Sequence, residues 1–252
     1  MIPDIYDRKL GFGETFSVSW KVFYSNIKYI LVFSLVAGLL VRVADYLLFS
    51  VLPETDNLMV EAYSKNILGS LFGYLFGVFS ITIVERFVNG LTVCWTVLFE
   101  SLRKYFWLAF WVHLIESVLM FLSRAPRIVS WGADSSPSWL VFLEFAGMFA
   151  FIAMTVCFYF TMQAVVLRDQ RGFKAICYSC RVVKGRWWLL FGYSIILSIV
   201  IGIFLFCFTF PLSRVLNCPV SDVAYWAYPV SSVLGSYIMV FFTVIFLNVD
   251  RD

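Results

Sequence analysis

Residues 139–167 read WLVFLEFAGMFAFIAMTVCFYFTMQAVVL, 29 consecutive positions with one acid, Glu144, and no base. About 20 apolar residues in a helix cross the hydrocarbon core of a bilayer. The run is therefore expected to span a membrane, and it is long enough to tilt or to emerge at one end. Five more segments pass the same test: 27–51, 67–84, 105–122, 186–210 and 226–247. Their apolar runs are continuous rather than alternating, which selects helices over barrel strands. The expected fold is all-α, one transmembrane domain over residues 1–252 built as a polytopic helical bundle of six spans. Residues 87–99, FVNGLTVCWTVLF, are apolar but too short to cross again. They are expected to lie at the interface or to continue a bent second helix.

The composition extends this reading to the whole chain. Of its 252 residues 62% are hydrophobic and 14% charged, with a mean hydropathy of +0.87. Soluble domains carry about 45–50% apolar and about 25% charged residues. A water-soluble chain of this size could not hide so much apolar surface, so soluble enzyme folds are excluded, and intrinsic disorder with them. The net charge of +3 is too small to suggest a nucleic-acid partner. The N-terminal MIPDIYDRKLGFGE has no short apolar region with a cleavage site, so the first span is expected to serve as the insertion signal.

Six spans place both termini on one side. That side holds 13 of the 19 Lys and Arg, within 8–28, 103–104 and 168–186 and at Arg251. The opposite loops hold Lys65, Arg124, Arg127 and Arg214. The bias predicts a multi-pass protein of the cell (inner) membrane with both termini cytoplasmic.

The cytoplasmic entries look alike. Before the first span, Phe12, Phe16, Trp20 and Phe23 recur at helical spacing, with Glu14, Lys21, Ser25 and Lys28 on another face. Before the fifth, Phe173, Ile176, Cys177, Cys180 and Val183 make an apolar stripe against Lys174, Tyr178, Arg181 and Lys184. Both read as short interfacial amphipathic helices. They align at an offset of 160, with Ser19 on Ser179, Lys21 on Arg181 and Val22 on Val182. At half that offset Lys104 meets Lys184 and Trp107 meets Trp187. Gly11, Gly90 and Gly172 precede the three entries, and Glu85–Arg86, Arg168–Asp169 and Asp250–Arg251 close the even spans. The expectation is three repeated units, each an interfacial helix and a hairpin of spans. The alternative is that inner-face charges and turn glycines recur in any six-span protein.

Residues 163–192, QAVVLRDQRGFKAICYSCRVVKGRWWLLFG, carry a wider resemblance. Asp169, Gly172, Ala175, Ser179, Lys184, Gly185 and Trp187 stand at the entry to the fifth span, and Ser19, Trp20, Lys21 and Asn26 at the entry to the first. This resembles the six-span bacterial membrane families related to the membrane domain fused to some glycerophosphodiester phosphodiesterases. The resemblance implies an integral membrane protein of poorly known function. It does not carry the hydrolytic activity across. That chemistry needs metal-binding acids and histidines in a soluble barrel, whereas this sequence has one His and no loop long enough for such a domain.

Two groups of residues are candidates for function. Charges within spans are expensive and tend to be functional. Arg42 and Asp45, and again His113 and Glu116, sit at i and i+3, so each pair shares a helix face. With Glu144 they form a possible intramembrane polar cluster, toward the outer half of the bilayer except for His113 near its middle. It would line a polar path, or else serve as structural ion pairs or snorkelling side chains. The second group is Arg171, Lys174, Arg181, Lys184 and Arg186, which could contact anionic lipid headgroups or simply set orientation. Cys177 and Cys180 match C-x-x-C without a second pair, and read better as small buried residues. Cys207 and Cys218 are close enough in sequence to bridge.

No Walker loop, dinucleotide fingerprint, G-x-S-x-G or HExxH occurs. No catalytic residue, metal site or cofactor is expected. The leading expectation is a non-enzymatic scaffold or accessory component whose partners are membrane lipids and proteins, or a second copy of itself. A small transporter or channel-like protein is the alternative, and an intramembrane lipid enzyme using His113 and Glu116 a third class.

Overall fold

A computed structural model describes residues 5, 8–51, 58–130, 138–218, 223 and 228–250, and their side chains except at 44–45, 48–51, 58–72, 124–130 and 228–229. The described residues are helical or irregular, with no strand. In chain order the helices are α1 (Phe12–Ser25), α2 (Ile27–Val51), α3 (Leu58–Val88), α4 (Trp95–Ser130) and α5 (Ser138–Cys157). They continue with α6 (Thr161–Arg168), α7 (Phe173–Val183), α8 (Trp187–Leu216) and α9 (Tyr228–Val249).

Among the described residues four stretches are long and apolar enough to cross a membrane: Trp95–Ser123, Ser138–Arg168, Trp187–Leu216 and Val230–Val249. A fifth is α1 with the first part of α2, if this pair, bent by 76° at Asn26, counts as one span. The chain is thus a helical membrane protein. Residues 27–51 coincide with α2, and 67–84 and 105–122 lie inside α3 and α4. Residues 139–167 divide between α5 and α6, and α8 runs past 210 through Pro211 to Leu216. Of residues 87–99, the first two end α3, the last five begin α4, and the stretch forms no helix of its own. A turn at Asn89–Gly90 and an irregular stretch over 91–94 lead into the first turn of α4. Lys65, Arg124, Arg127 and Arg214, expected in the outer loops, lie instead in helical extensions of α3, α4 and α8, whereas residues 52–57 and 131–137, Trp226 and Arg251 lie outside the described residues.

The chain divides into two compact units. The first comprises Met1–Lys104 and Gly192–Asp252, the second Tyr105–Phe191.

In the first unit α9 is the central helix and packs on α1, α2 and α3. Its apolar window is 56% buried, against 11% for α8, which leaves most of its surface outward. The Tyr237 ring sits among Phe16, Trp20 and Phe23, with centroids 5.7, 5.9 and 5.4 Å away. Ser34 and Ser236 hydroxyls meet at 3.0 Å between α2 and α9, and Phe33 stacks on Phe79 at 3.9 Å between α2 and α3. Asn248, near the end of α9, holds the N-terminal segment. Its Nδ2 donates to the carbonyls of Ile5 (2.7 Å) and Arg8 (2.8 Å), and its Oδ1 accepts from the Leu10 amide (3.0 Å).

In the second unit α7 packs on α5 and α6. Both ends of α7 need glycine. Gly172 has φ 54 and Gly185 φ 83, where a Cβ would be strained, so the chain can turn sharply into and out of this short helix.

The buried faces of the two interfacial helices follow their apolar stripes only at Phe23, Ile176 and Val183. In α1 the buried residues are Thr15, Ser19, Val22 and Phe23. In α7 they are Ala175, Ile176, Ser179, Val182 and Val183. Phe16, Trp20 and Phe173 are exposed, and so is Cys177, which was expected to be buried. Small residues let helices approach closely, while large aromatic rings are as well placed against lipid as against protein.

Candidate functional site

The polar residues within the spans are distributed over both units. Arg42 lies on α2 in the first unit, half-buried. Asp45 is one turn further along α2, and its side chain lies outside the described residues. His113 and Glu116 on α4 and Glu144 on α5 belong to the second unit. Of these, His113 and Glu116 are brought together. Nδ1 of His113 stands 3.6 Å from Oε2 of Glu116, with side chains 23% and 13% exposed. That spacing is long for a hydrogen bond. Oε1 of Glu116 is buried and accepts no hydrogen bond among the described residues. Glu144 is half-buried and flanked by the exposed Phe142, Leu143 and Phe145.

The cationic group is more coherent. Arg171, Lys174, Arg181 and Lys184 are all exposed, and Arg186 is half-buried at the foot of α8. They lie on and beside one eleven-residue helix, α7. Their charge is unopposed along the chain, because no Asp or Glu occurs between Asp169 and Asp222. Asp169 itself accepts a hydrogen bond from the Tyr105 hydroxyl at 3.0 Å. Two large apolar side chains stand beside the cations, Phe173 at 60% exposure and Trp188 at 78%. Cations interleaved with exposed aromatic rings are the surface that a lipid headgroup layer accepts, since rings enter the interface while charges meet phosphates.

On the opposite side of α7 lies a residue whose role the sequence did not reveal. The fourth apolar run breaks at 158–160, between α5 and α6. A break in a helix frees backbone groups that cost several kcal/mol each if left unsatisfied in a membrane, of order 2–7 by transfer measurements. Ser179 satisfies two of them. Its Oγ donates to the Cys157 carbonyl and accepts from the buried Phe160 amide at 3.1 Å. Ser179 is fully buried. Its alignment with Ser19 was legible, but the hydrogen bonds were not, because the break has no Pro or Gly to announce it.

The cysteines add no nucleophile or ligand set. Burial, and after it the neighbouring Cys157 thiol, push Cys180 up to about 11, so it stays a thiol near neutrality. Cys207 and Cys218 are free and exposed. Among the described residues no group of three or more His, Cys, Asp or Glu could hold a metal ion.

No curated protein and no solved structure matches this chain. Residues 104–249, more than half of it, do match a family model, and they include the whole second unit with α8 and α9. The chain therefore belongs to the family described as Domain of unknown function (DUF7847).

Proposed function

We propose that this protein is a six-span component of the cell (inner) membrane with both termini in the cytoplasm. It acts as a non-enzymatic scaffold or accessory protein through contacts with lipids and other proteins. The observation that carries this reading is the cationic helix α7 with its flanks, where Arg171, Lys174, Arg181 and Lys184 are exposed together with Phe173 and Trp188. Orientation is supported by the 13 basic residues on one side.

The repeated organisation has partial support. Thr15, Ser19, Val22 and Phe23 are buried in α1, and at the offset of 160 each meets a buried residue of α7, namely Ala175, Ser179, Val182 and Val183. At half the offset the correspondence weakens, since Trp95, Phe99 and Arg103 are exposed. Likeness to the membrane domain of glycerophosphodiester phosphodiesterases is part of the same proposal and rests on the residues around Ser19 and Ser179.

Topology is tested with single-cysteine variants and a membrane-impermeant thiol reagent on intact cells. Cys218 is expected to react and Cys177 to react only after lysis; the reverse pattern would overturn the orientation. Crosslinked pull-down from native membranes tests the scaffold role, which requires co-purifying partners. A second reading, a small transporter, draws on the buried Oε1 of Glu116 beside His113. It requires that Glu116→Gln abolish flux of a defined solute in vesicles, and unchanged flux sinks it.

A further inference from the structure

We infer that α7 is a sensor of acidic phospholipid, in which headgroup phosphates bound by Arg171, Lys174, Arg181 and Lys184 tighten the Ser179 latch on the broken fourth span. The inference deepens the proposed lipid contact by naming its ligand class and its consequence.

Three observations meet on one short helix. It carries two exposed cations, Lys174 and Arg181, and is flanked by two more, Arg171 and Lys184, with no acid in the chain from Gln170 to Ser221. Anionic surfaces attract such residues at about 1 kcal/mol each, or about fivefold in partition per cation. Phe173 and Trp188, both mostly exposed, favour a lipid surface over an acidic protein, because both rings and charges are then accommodated in one layer. The helix also lies between two apolar stretches, ending at Arg168 and beginning at Trp187, which holds it at the depth of the headgroups.

The inner face supplies the coupling. Ser179 is five residues from Lys174 in one direction and two from Arg181 in the other on one rigid helix, so α7 cannot move toward or away from the headgroups without moving the latch. With α7 docked, the Ser179 hydroxyl serves both the Phe160 amide and the Cys157 carbonyl, and phosphate binding beside it would favour that docked position. Gly172 and Gly185, both at positive φ, set α7 off from the stretches on either side of it.

The test is hydrogen exchange by mass spectrometry on the full chain in nanodiscs of phosphatidylcholine alone or mixed with phosphatidylglycerol. The peptide containing Phe160 reports the latch. Phosphatidylglycerol is expected to slow its exchange, and salt to reverse this. The variant R171Q/K174Q/R181Q/K184Q, altered only at exposed positions, is expected to lose the lipid dependence, about fivefold in lipid preference per cation removed. R171K/R181K retains the charge and is expected to retain the dependence. Ser179→Ala is expected to exchange fast in both lipids. Exchange at Phe160 that is equal in the two lipids overturns the inference and leaves the pull-down result standing. So does protection produced by inorganic phosphate, or by a co-purified acidic protein in phosphatidylcholine alone. Loss of partners in the pull-down with lipid-dependent exchange intact would instead overturn the scaffold role alone.

Discussion

Helices α1 and α7 are alike in sequence and bury four matching positions, yet they are held by different means. Ser179 is fully buried and its hydroxyl is used twice. Ser19 is equally buried, and its hydroxyl has no hydrogen-bond partner among the described residues. The neighbour explains the difference. α7 packs against a helix that is broken at 158–160 and offers a free amide and a free carbonyl. α1 packs against α9, which is unbroken and has already satisfied its backbone within itself. α1 is held instead by rings around Tyr237 and by Asn248, which ties down the segment before it. One small-residue face thus serves two kinds of docking, one by hydrogen bonds and one by packing.

The largest test of this contrast removes the packing. Tyr237→Ala should cost about 3–4 kcal/mol in mixed-micelle denaturation, because three aromatic neighbours lose their common partner. A cost below about 1 kcal/mol would mean that α1 is not held by this cluster. Next is Ser179→Ala, which leaves a buried amide and carbonyl without partners and should cost about 1–3 kcal/mol by the same measurement. Its counterpart, Ser19→Ala, removes a hydroxyl with no hydrogen-bond partner among the described residues. It should change stability by less than about 0.5 kcal/mol and can be stabilising. Equal costs at the two serines would break the comparison outright.

The smallest effect concerns pH. The Gly11 amide (3.1 Å) and, after it, Arg8 (2.6 Å) hold the Glu14 carboxyl below its usual value of 4.5. A carboxylate favoured in the folded state adds stability above its unfolded value and loses that contribution as pH falls through the folded one. Nuclear magnetic resonance of the Glu14 carboxyl should therefore give a midpoint below 4.5, raised in part by Arg8→Ala. Because the group is exposed, global stability should hardly follow.

Much of the molecule was legible as runs. The apolar segments named in advance fall on α2, α3, α4, α5 with α6, α8 and α9, because helix length and bilayer thickness leave few alternatives. The buried faces were less legible. The apolar stripes of the interfacial helices do not say which of their residues pack on protein: Phe16, Trp20 and Phe173 are exposed, while Thr15, Ser19 and Ser179 are buried. In water, hydrophobicity separates inside from outside. In lipid it does not, because the surroundings are as apolar as the core, and close packing selects small residues instead. The candidate site was half legible for the same reason. Its cations declared themselves by charge, but the latch depends on a break with no local signature.

The sequence by itself determined the solvent, the helical class and the positions of the sparse charges, since each follows from composition and the length of apolar runs. Only the tertiary structure decided which serine is a latch, where the fourth run breaks, and that Asn248 clamps the N-terminal segment. Those are hydrogen bonds between residues 19 to 243 positions apart, and their value depends on whether the partner has a free backbone group to offer.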